Sequence, residues 1–65
     1  MKVELKKLKV ETKSGVFLGK IKNVIIDTDS QIILQYEVGN LFNREYLISQ
    51  EQVLFIDNQK MIVDD

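Results

Sequence analysis

The stretch from Gly15 to Val38 limits the possible folds more than any other part of this 65-residue chain. Nearly all of its apolar residues are β-branched or large, and such residues favour β-strands. Four polar residues of types that favour turns, Thr28 to Gln31, lie near its middle. The stretch therefore predicts a long β-hairpin. A turn closed around its centre pairs Ile25 with Leu34 and Ile26 with Ile33.

Successive side chains along a strand point to opposite faces, so this hairpin has two apolar faces. The larger face is the expected core: Ile21, Ile25, Ile32, Leu34, Tyr36 and Val38. The opposite face carries Val24, Ile26 and Ile33, where a sheet with one solvated side would be polar. Either other strands of the same chain cover this second face, or a second copy does. These three residues are the candidate self-association surface.

The rest of the chain predicts shorter strands around the hairpin. Lys2 to Thr12 alternates in hydrophobicity and changes face at Lys6 and Lys7, which indicates a bulge or a break there. Gln50 to Gln52 indicates a short turn, for which one turn of 3₁₀-helix is an option. The remaining strands are expected at Arg44 to Ser49, Val53 to Asp57 and Lys60 to Val63. This pattern predicts an all-β fold in a single domain, residues 1–65: a small six-stranded antiparallel, partly closed β-barrel.

Two glycines near the start of the hairpin have a structural interpretation. Gly15 ends a predicted turn that begins at Lys13, where glycine is free to adopt a positive φ angle. Gly19 lies inside a predicted strand, where glycine usually marks a sharp bend or a close approach of two backbones. A phosphate-binding loop would need more glycines at the start of a helix, and no helix is predicted. We therefore expect both glycines to serve backbone geometry.

The composition argues against catalysis and metal binding. The chain contains no cysteine and no histidine, which excludes disulfides and the common structural zinc sites. A catalytic site would have to use carboxylates, lysines or tyrosines, but the aspartates fall mainly at turns and at the chain end, where they are usually solvated. We expect no enzyme activity and no cofactor.

The short chain is also expected to self-associate. A chain of this length buries a smaller fraction of its surface on folding than a larger domain does, and it has neither disulfides nor a common zinc site to add stability. Association between copies is the remaining way to bury more apolar area. A homodimer is therefore predicted, with higher assembly left open.

The connection from Gly39 to Asn43 contains two adjacent apolar residues, Leu41 and Phe42. Neighbouring residues cannot both point inward from a regular strand. Either they fold over one open end of the barrel and plug it, or they form an exposed apolar anchor for a partner. In the second case, Leu41, Phe42 and Arg44 are the candidate partner-binding residues.

Charge is distributed unevenly along the chain. The first 22 residues hold seven lysines and two glutamates, which gives +5, whereas residues 23–65 sum to −6. The candidate basic patch consists of Lys6, Lys7, Lys9, Lys20 and Lys22. Such lysines either keep an edge strand soluble or bind an acidic partner, a nucleic acid or the acidic face of a second copy. Nucleic acid is the weakest of these, because the chain has one arginine, a pI near 5.3 and no aromatic residue interleaved with the lysines.

Neither end of the sequence indicates export or membrane insertion. The first residues mix charged and apolar types, unlike a signal peptide. No stretch approaches the ~20 apolar residues that span a bilayer. A cytoplasmic location without direct membrane insertion is predicted.

The order of these residues resembles a known family, the PRC-barrel domain. The resemblance rests on residues that make the fold: Leu8, Val10, Gly15, Leu18 to Ile21, Asn23, Val24, Ile26, Asp27, Ile32 to Val38, Tyr46 to Ile48, Val53 and Met61 to Val63. It covers nearly the whole chain from Leu8 onward. The chain departs from the family pattern at two turns, with Ser30-Gln31 where glycine is frequent and Ser49 where proline is frequent.

The resemblance implies a six-stranded barrel like that of the reaction-centre H subunit and of the C-terminal end of the ribosome maturation factor RimM. It also implies adaptor work without enzyme activity: docking on ribosomal protein, a membrane complex or cell-division machinery, frequently as dimers. The functional prediction is thus a self-associating, non-enzymatic adaptor for protein–protein interaction or assembly, with an unidentified protein partner. The alternative is an RNA- or ribosome-associated module that uses the basic N-terminal segment.

Overall fold

The computed structural model describes residues 4–40 and 44–64, which form six β-strands and one short 3₁₀-helix. In chain order these are β1 (Lys9–Thr12), β2 (Phe17–Asp27), β3 (Ile32–Gly39), β4 (Glu45–Ser49), η1 (Gln50–Gln52), β5 (Val53–Ile56) and β6 (Lys60–Val63). The 3₁₀ turn agrees with the sequence. There the side-chain oxygen of Gln52 accepts a hydrogen bond from the backbone N–H of Ser49 (2.9 Å). Within these residues no helix has the length and hydrophobicity needed to cross a membrane.

The strands form one mixed sheet in the order β4-β3-β2-β1-β6-β5. Neighbouring strands are antiparallel except β1 and β6, which are parallel, so the fully antiparallel prediction is wrong at this pair. Short turns impose antiparallel pairing only on strands that follow each other, whereas most of the chain separates β1 from β6. Within the described ranges β4 and β5 are the sheet edges. Hydrogen bonds do not close the sheet there, and the barrel is only partial.

The register of the β2–β3 hairpin differs from the prediction at one of the two predicted pairs. Ile26 faces Ile33 as predicted. Ile25 faces Gln35, however, which leaves Leu34 as an extra residue on β3. A β-bulge of this kind cannot be read from the alternation of apolar residues, because residues 32–34 are all apolar and do not alternate.

A second bulge, at Lys22 in β2, changes which face of the hairpin is buried. An extra residue moves all following side chains to the other face of the strand. Together with the bulge at Leu34, it makes the predicted faces wrong at residues 24 and 25 of β2 and 32–34 of β3, whereas Tyr36 and Val38 are buried as predicted. Three residues predicted for the core are exposed, and two predicted for the outer face pack against the core: Ile25, Ile32 and Leu34 in the first group, Val24 and Ile33 in the second.

The core consists of eight buried apolar residues: Leu8, Val10, Ile21, Tyr36, Val38, Ile48, Met61 and Val63. They come from β1, β2, β3, β4 and β6 and from the residue that precedes β1. Three of them, Ile21, Tyr36 and Val38, were expected from the hairpin pattern. The core therefore lies against the middle of the sheet. There the β2–β3 hairpin has β1 on one side and β4 on the other.

Both glycines in the first part of the hairpin have the backbone roles that the sequence predicts. Gly15 has a φ angle of 93°, and its N–H donates to the carbonyl oxygen of Thr12 at 2.9 Å. Gly19 has a φ angle of 142°. A Cβ atom at Gly19 would overlap the carbonyl oxygen of Gly39, so only glycine lets β2 and β3 approach this closely.

The predicted break at Lys6 and Lys7 is a turn that precedes β1. The N–H of Leu8 donates to the carbonyl oxygen of Leu5 at 3.1 Å, and Lys7 has a φ angle of 69°. A positive φ at the third residue of a turn is a feature of type II turns and favours glycine or asparagine. The N–H of Lys7 donates to the carbonyl oxygen of Ile21 at 2.8 Å, which holds the turn against β2.

Candidate interaction surfaces

A cavity of about 510 Å³ opens where the N-terminal turn meets the first half of β2. Four lysines line it: Lys6, Lys7, Lys20 and Lys22. Its lining is mostly apolar and includes Phe17 and Ile21 together with Gly19 and Gly39, whose backbones approach closely. A volume of this order is typical of sites that bind a small molecule or a side chain. We term this site the basic cavity.

Gly39, at the end of β3, makes room for one of the four lysines. A Cβ atom on Gly39 would lie 2.5 Å from Cε of Lys22, so the Lys22 side chain crosses directly over this glycine. Its Nζ then reaches Oε1 of Glu45 on β4, 3.0 Å away. Both side chains are more than half exposed, and ion pairs of this kind contribute little stability. The pair therefore orients Lys22 along the cavity rather than holding the sheet together.

The other three cavity lysines have no carboxylate partner within residues 4–40 and 44–64: Lys6, Lys7 and Lys20. All three are exposed. The positive charge around the cavity is thus only partly balanced, by Glu45. A concave site with uncompensated charge attracts groups of the opposite sign. The basic cavity is therefore suited to an anionic ligand that also has an apolar part.

The predicted basic patch extends beyond the cavity. Lys9 does not line it, but in the sheet Lys9 stands opposite Lys20 on β2 and opposite Lys60 on β6. Lys60 was not predicted for the patch, because its position beside Lys9 follows from the parallel pairing of β1 and β6. Its Nζ lies 4.0 Å from Oε2 of Glu11. Like charges in opposite positions destabilise a sheet, so an anionic partner would relieve this row of lysines.

The prediction that no aromatic residue lies among the lysines is wrong, because Phe17 lines the basic cavity. Its side chain is 52% exposed and lines the same cavity as Lys20. The register between β1 and β2 shifts between Val10 and Glu11, which places Phe17 opposite Glu11. Simple alternation along β2 therefore could not assign Phe17 to a face.

The far end of the β2–β3 hairpin extends beyond both neighbouring strands. β1 pairs with β2 only up to Lys20, and β4 pairs with β3 only from Gln35 onward. Within the described part of the chain, the strand residues of the segment 24–34 thus pair only within the β2–β3 hairpin. We term this segment the hairpin tip.

The hairpin tip is apolar along its length and acidic at its end. Four of its large aliphatic side chains are between 37% and 55% exposed: Ile25, Ile26, Ile32 and Leu34. At the turn, Oδ1 of Asp27 accepts a hydrogen bond from the N–H of Asp29 (2.9 Å), and Asp29 is exposed. No basic residue occurs between Lys22 and Arg44. The tip therefore combines exposed apolar surface with negative charge.

The three residues predicted for self-association are not equally accessible. Ile26 is 50% exposed within the hairpin tip, whereas Val24 and Ile33 are partly buried and pack against the core. Their role in self-association stays a prediction. Ile26 is the one with substantial exposed area.

The predicted partner-binding residues belong to the connection between β3 and β4. Leu41 and Phe42 lie outside the described residues. Arg44 is exposed; its N–H donates to Oδ1 of Asn40 at 3.2 Å, and its carbonyl oxygen accepts from the N–H of Asn40 at 3.1 Å. These two bonds hold Arg44 beside Asn40, which lines the basic cavity. A partner-binding role for Arg44 stays a prediction.

Two titratable groups with shifted pKa values lie outside both surfaces. The carboxylate of Asp57 accepts hydrogen bonds from the N–H groups of Gln59 (2.7 Å) and Lys60 (2.8 Å), and these bonds lower the pKa of Asp57. Burial in the core raises the pKa of the Tyr36 hydroxyl. In the described ranges, no three carboxylates lie close enough together to hold a metal ion.

The chain matches the PRC-barrel domain over residues 3–65, and it belongs to this family. Among solved structures it is similar to RimM from Pseudomonas aeruginosa, which is described as a 16S ribosomal RNA processing protein. The two are 29% identical over 92% of this chain, with a TM-score of 0.69. The match spans 40% of the length of that protein. No curated protein matches the chain.

Proposed function

We propose that this PRC-barrel domain is a non-catalytic protein-interaction module in the cytoplasm. Its basic cavity binds an acidic segment of a protein partner that also carries an apolar side chain. One observation carries this proposal: a single cavity combines an apolar lining with four lysines, three of which have no carboxylate partner in the described ranges. The apolar side chain of the partner would fill the cavity, and its carboxylates would approach the lysines.

Lysine suits both parts of such a ligand. Its aliphatic stem covers apolar surface, while the ammonium group stays at the water boundary and meets a carboxylate there. Charge complementarity mainly raises the association rate and selects the partner, whereas the desolvated apolar contact supplies most of the binding free energy. A partner with only one of these features would bind weakly.

The proposal is tested by fluorescence anisotropy with a short labelled peptide in which aspartate and leucine alternate. We expect binding that weakens as salt is raised, because the charges at the cavity are exposed and screened. Lys20→Glu should weaken binding about tenfold, since it replaces an attraction by a repulsion. Lys13→Glu is the matched control: it makes the same charge change at an exposed lysine outside the cavity lining.

Two results would contradict the proposal. If a peptide with serine in place of leucine bound equally well, the apolar lining would have no role. If Lys13→Glu and Lys20→Glu weakened binding equally, the lysines would act as a diffuse positive surface and not through the cavity.

Phe17 favours a second candidate, an RNA-associated module. An exposed aromatic ring beside lysines can stack on a base while the lysines contact phosphates. The similar protein RimM is described as a 16S ribosomal RNA processing protein. The patch has no arginine, however, and arginine is the residue that contacts phosphate with two parallel hydrogen bonds. The RNA candidate therefore ranks second.

Anisotropy with a labelled RNA of mixed sequence at about 50 mM salt tests this candidate. If the chain is an RNA-associated module, the RNA should bind, and its affinity should fall steeply as salt is raised. Phe17→Ala should weaken this binding about tenfold. Without a detectable anisotropy change at low salt, the RNA candidate is removed.

A further inference from the structure

We propose that the acidic segment bound by the basic cavity is the hairpin tip of a second copy of this chain. The inference rests on the proposed function, because it names the partner of the same cavity. Each copy then carries both a site and its ligand. Other acidic proteins and RNA become alternative occupants that the experiment distinguishes.

The two surfaces are complementary in charge. The cavity has four lysines and one carboxylate within ion-pair distance, Glu45. The tip has Asp27 and Asp29 at its turn, and no basic residue occurs between Lys22 and Arg44. When the tip of one copy meets the cavity of another, opposite charges approach and no lysine faces a lysine.

The two surfaces are also complementary in shape and in apolar area. The cavity is concave and has Phe17 and Ile21 in its lining. The tip projects past the neighbouring strands and exposes Ile26 and Ile32 to about half of their area. Burial of these side chains would remove the exposed apolar surface that the partial barrel leaves uncovered.

The tip cannot fill the cavity of its own chain. Both surfaces lie on β2, and the five residue-to-residue steps from Lys22 to Asp27 correspond to about 17 Å of strand. A continuous paired hairpin does not fold back over this distance. The contact must therefore join different copies, either reciprocally in a closed dimer or head to tail in a growing assembly.

The backbone at Lys7 is consistent with a binding role for the cavity lysines. Lys7 has a φ angle of 69°, which favours glycine or asparagine over lysine. Backbone strain of this kind is frequent at binding sites, where the side chain is needed despite the strain.

Two variants separate the surfaces. The tip variant, Ile26→Lys with Asp29→Lys, changes exposed residues and keeps Asp27, whose side chain holds the turn. The cavity variant is Lys6→Glu with Lys20→Glu. The controls are Leu54→Lys, which is 55% exposed on β5, and Lys13→Glu, which lies outside the cavity lining. Circular dichroism first confirms that each variant is folded.

Molar mass is then measured by light scattering after size exclusion, over a wide range of concentrations. Wild type and both controls should exceed the monomer mass of 7.6 kDa, while the tip variant and the cavity variant should each elute as monomers. An equimolar mixture of the two variants should regain association, because each retains one intact surface and the changed charges are again opposite. A constant doubled mass would indicate the closed dimer, and growth with concentration would indicate head-to-tail assembly.

Three results would overturn the inference: wild type that stays monomeric, tip and cavity variants that associate like wild type, or a mixture that stays monomeric. Binding of the acidic peptide shows whether only this inference fails or the proposed function fails as well. If the peptide binds the cavity while association does not depend on the tip, the cavity serves another protein. If the inference is correct, the peptide also dissociates the wild-type assembly and binds the tip variant more tightly than it binds wild type.

Discussion

The two ends of strand β2 share one hydrophobic pattern but have different surroundings. At its first end, β2 pairs with β1 on one side and with β3 on the other. There Ile21 is buried in the core. At the far end, β2 pairs with β3 alone, and Ile25 and Ile26 are exposed. Isoleucines on one strand are thus buried or exposed according to the strands that lie beside them.

This difference creates the two candidate surfaces. Where β2 has neighbours on both sides, the basic cavity lies over the closely packed backbones of Gly19 and Gly39. The four lysines that line this cavity supply positive charge. Where neighbours are missing, the hairpin is convex, apolar and acidic at its turn. A chain with both features has a physical reason to assemble with itself.

The largest effect is expected at Gly19, where the backbones of β2 and β3 pack closely at the first end of β2. Gly19→Ala should cost about 4 kcal/mol, because the new Cβ would overlap the carbonyl oxygen of Gly39 and the φ angle of 142° disfavours any side chain. A domain this small would then be largely unfolded at room temperature. Gly15→Ala is the control: it also has a positive φ but nothing within 4 Å, so about 1 kcal/mol is expected. Equal losses in urea unfolding would mean that the contact with β3 is unimportant.

The next largest effect compares an isoleucine from each end of β2. Ile21→Ala should cost about 3 kcal/mol, since Ile21 is fully buried and its removal leaves a cavity. Ile26→Ala should cost about 0.5 kcal/mol at concentrations where the chain is monomeric. Urea unfolding measures both. A cost for Ile26→Ala that grows with protein concentration would show that the tip is buried between copies.

The hairpin itself was predictable from the sequence, because turn chemistry and β-branched residues act locally. The Ile26–Ile33 pair, the roles of Gly15 and Gly19 and the break at Lys6 all follow from neighbouring residues. The bulges at Lys22 and Leu34 were not predictable, because the residues at 24–26 and 32–34 are all apolar and a bulge there interrupts no alternation.

The candidate site was predictable only in part. The lysines of the basic cavity were recognised by their clustering in sequence, but Phe17 and Lys60 were missed. Phe17 joins the cluster because the β1–β2 register shifts, and Lys60 joins it because β6 lies parallel to β1. The cavity lining also includes Gly39, which lies under the Lys22 side chain because β2 and β3 pair side by side. Such information is tertiary and no local pattern contains it.

A smaller effect compares two positions, one at each surface, which are the residues other than glycine with a positive φ in the described ranges. Lys7 has φ 69° beside the basic cavity, and Gln31 has φ 60° in the turn of the hairpin tip. Glycine at either position should raise the free energy of unfolding by up to about 1 kcal/mol, because it removes the left-handed strain. Only Lys7→Gly should also weaken binding of the acidic peptide, measured by anisotropy. If Gln31→Gly weakened peptide binding equally, the loss would reflect the backbone change and not the lost lysine.

The smallest effect concerns a turn outside both surfaces, which provides a reference for them. Two backbone N–H groups hold the carboxylate of Asp57 and lower its pKa below the usual 3.8. Because the folded state favours the ionised form, the stabilisation is present above the unfolded pKa and is lost as the pH falls through the folded pKa. Asp57→Asn does not titrate, so its stability relative to wild type should improve as the pH is lowered through this range. An NMR titration should place the midpoint of the Asp57 carboxyl below pH 3.8 in wild type. The midpoint should be the same in the tip variant and in the cavity variant, because neither surface includes this turn. A midpoint that moved in either variant would show that the turn is coupled to that surface.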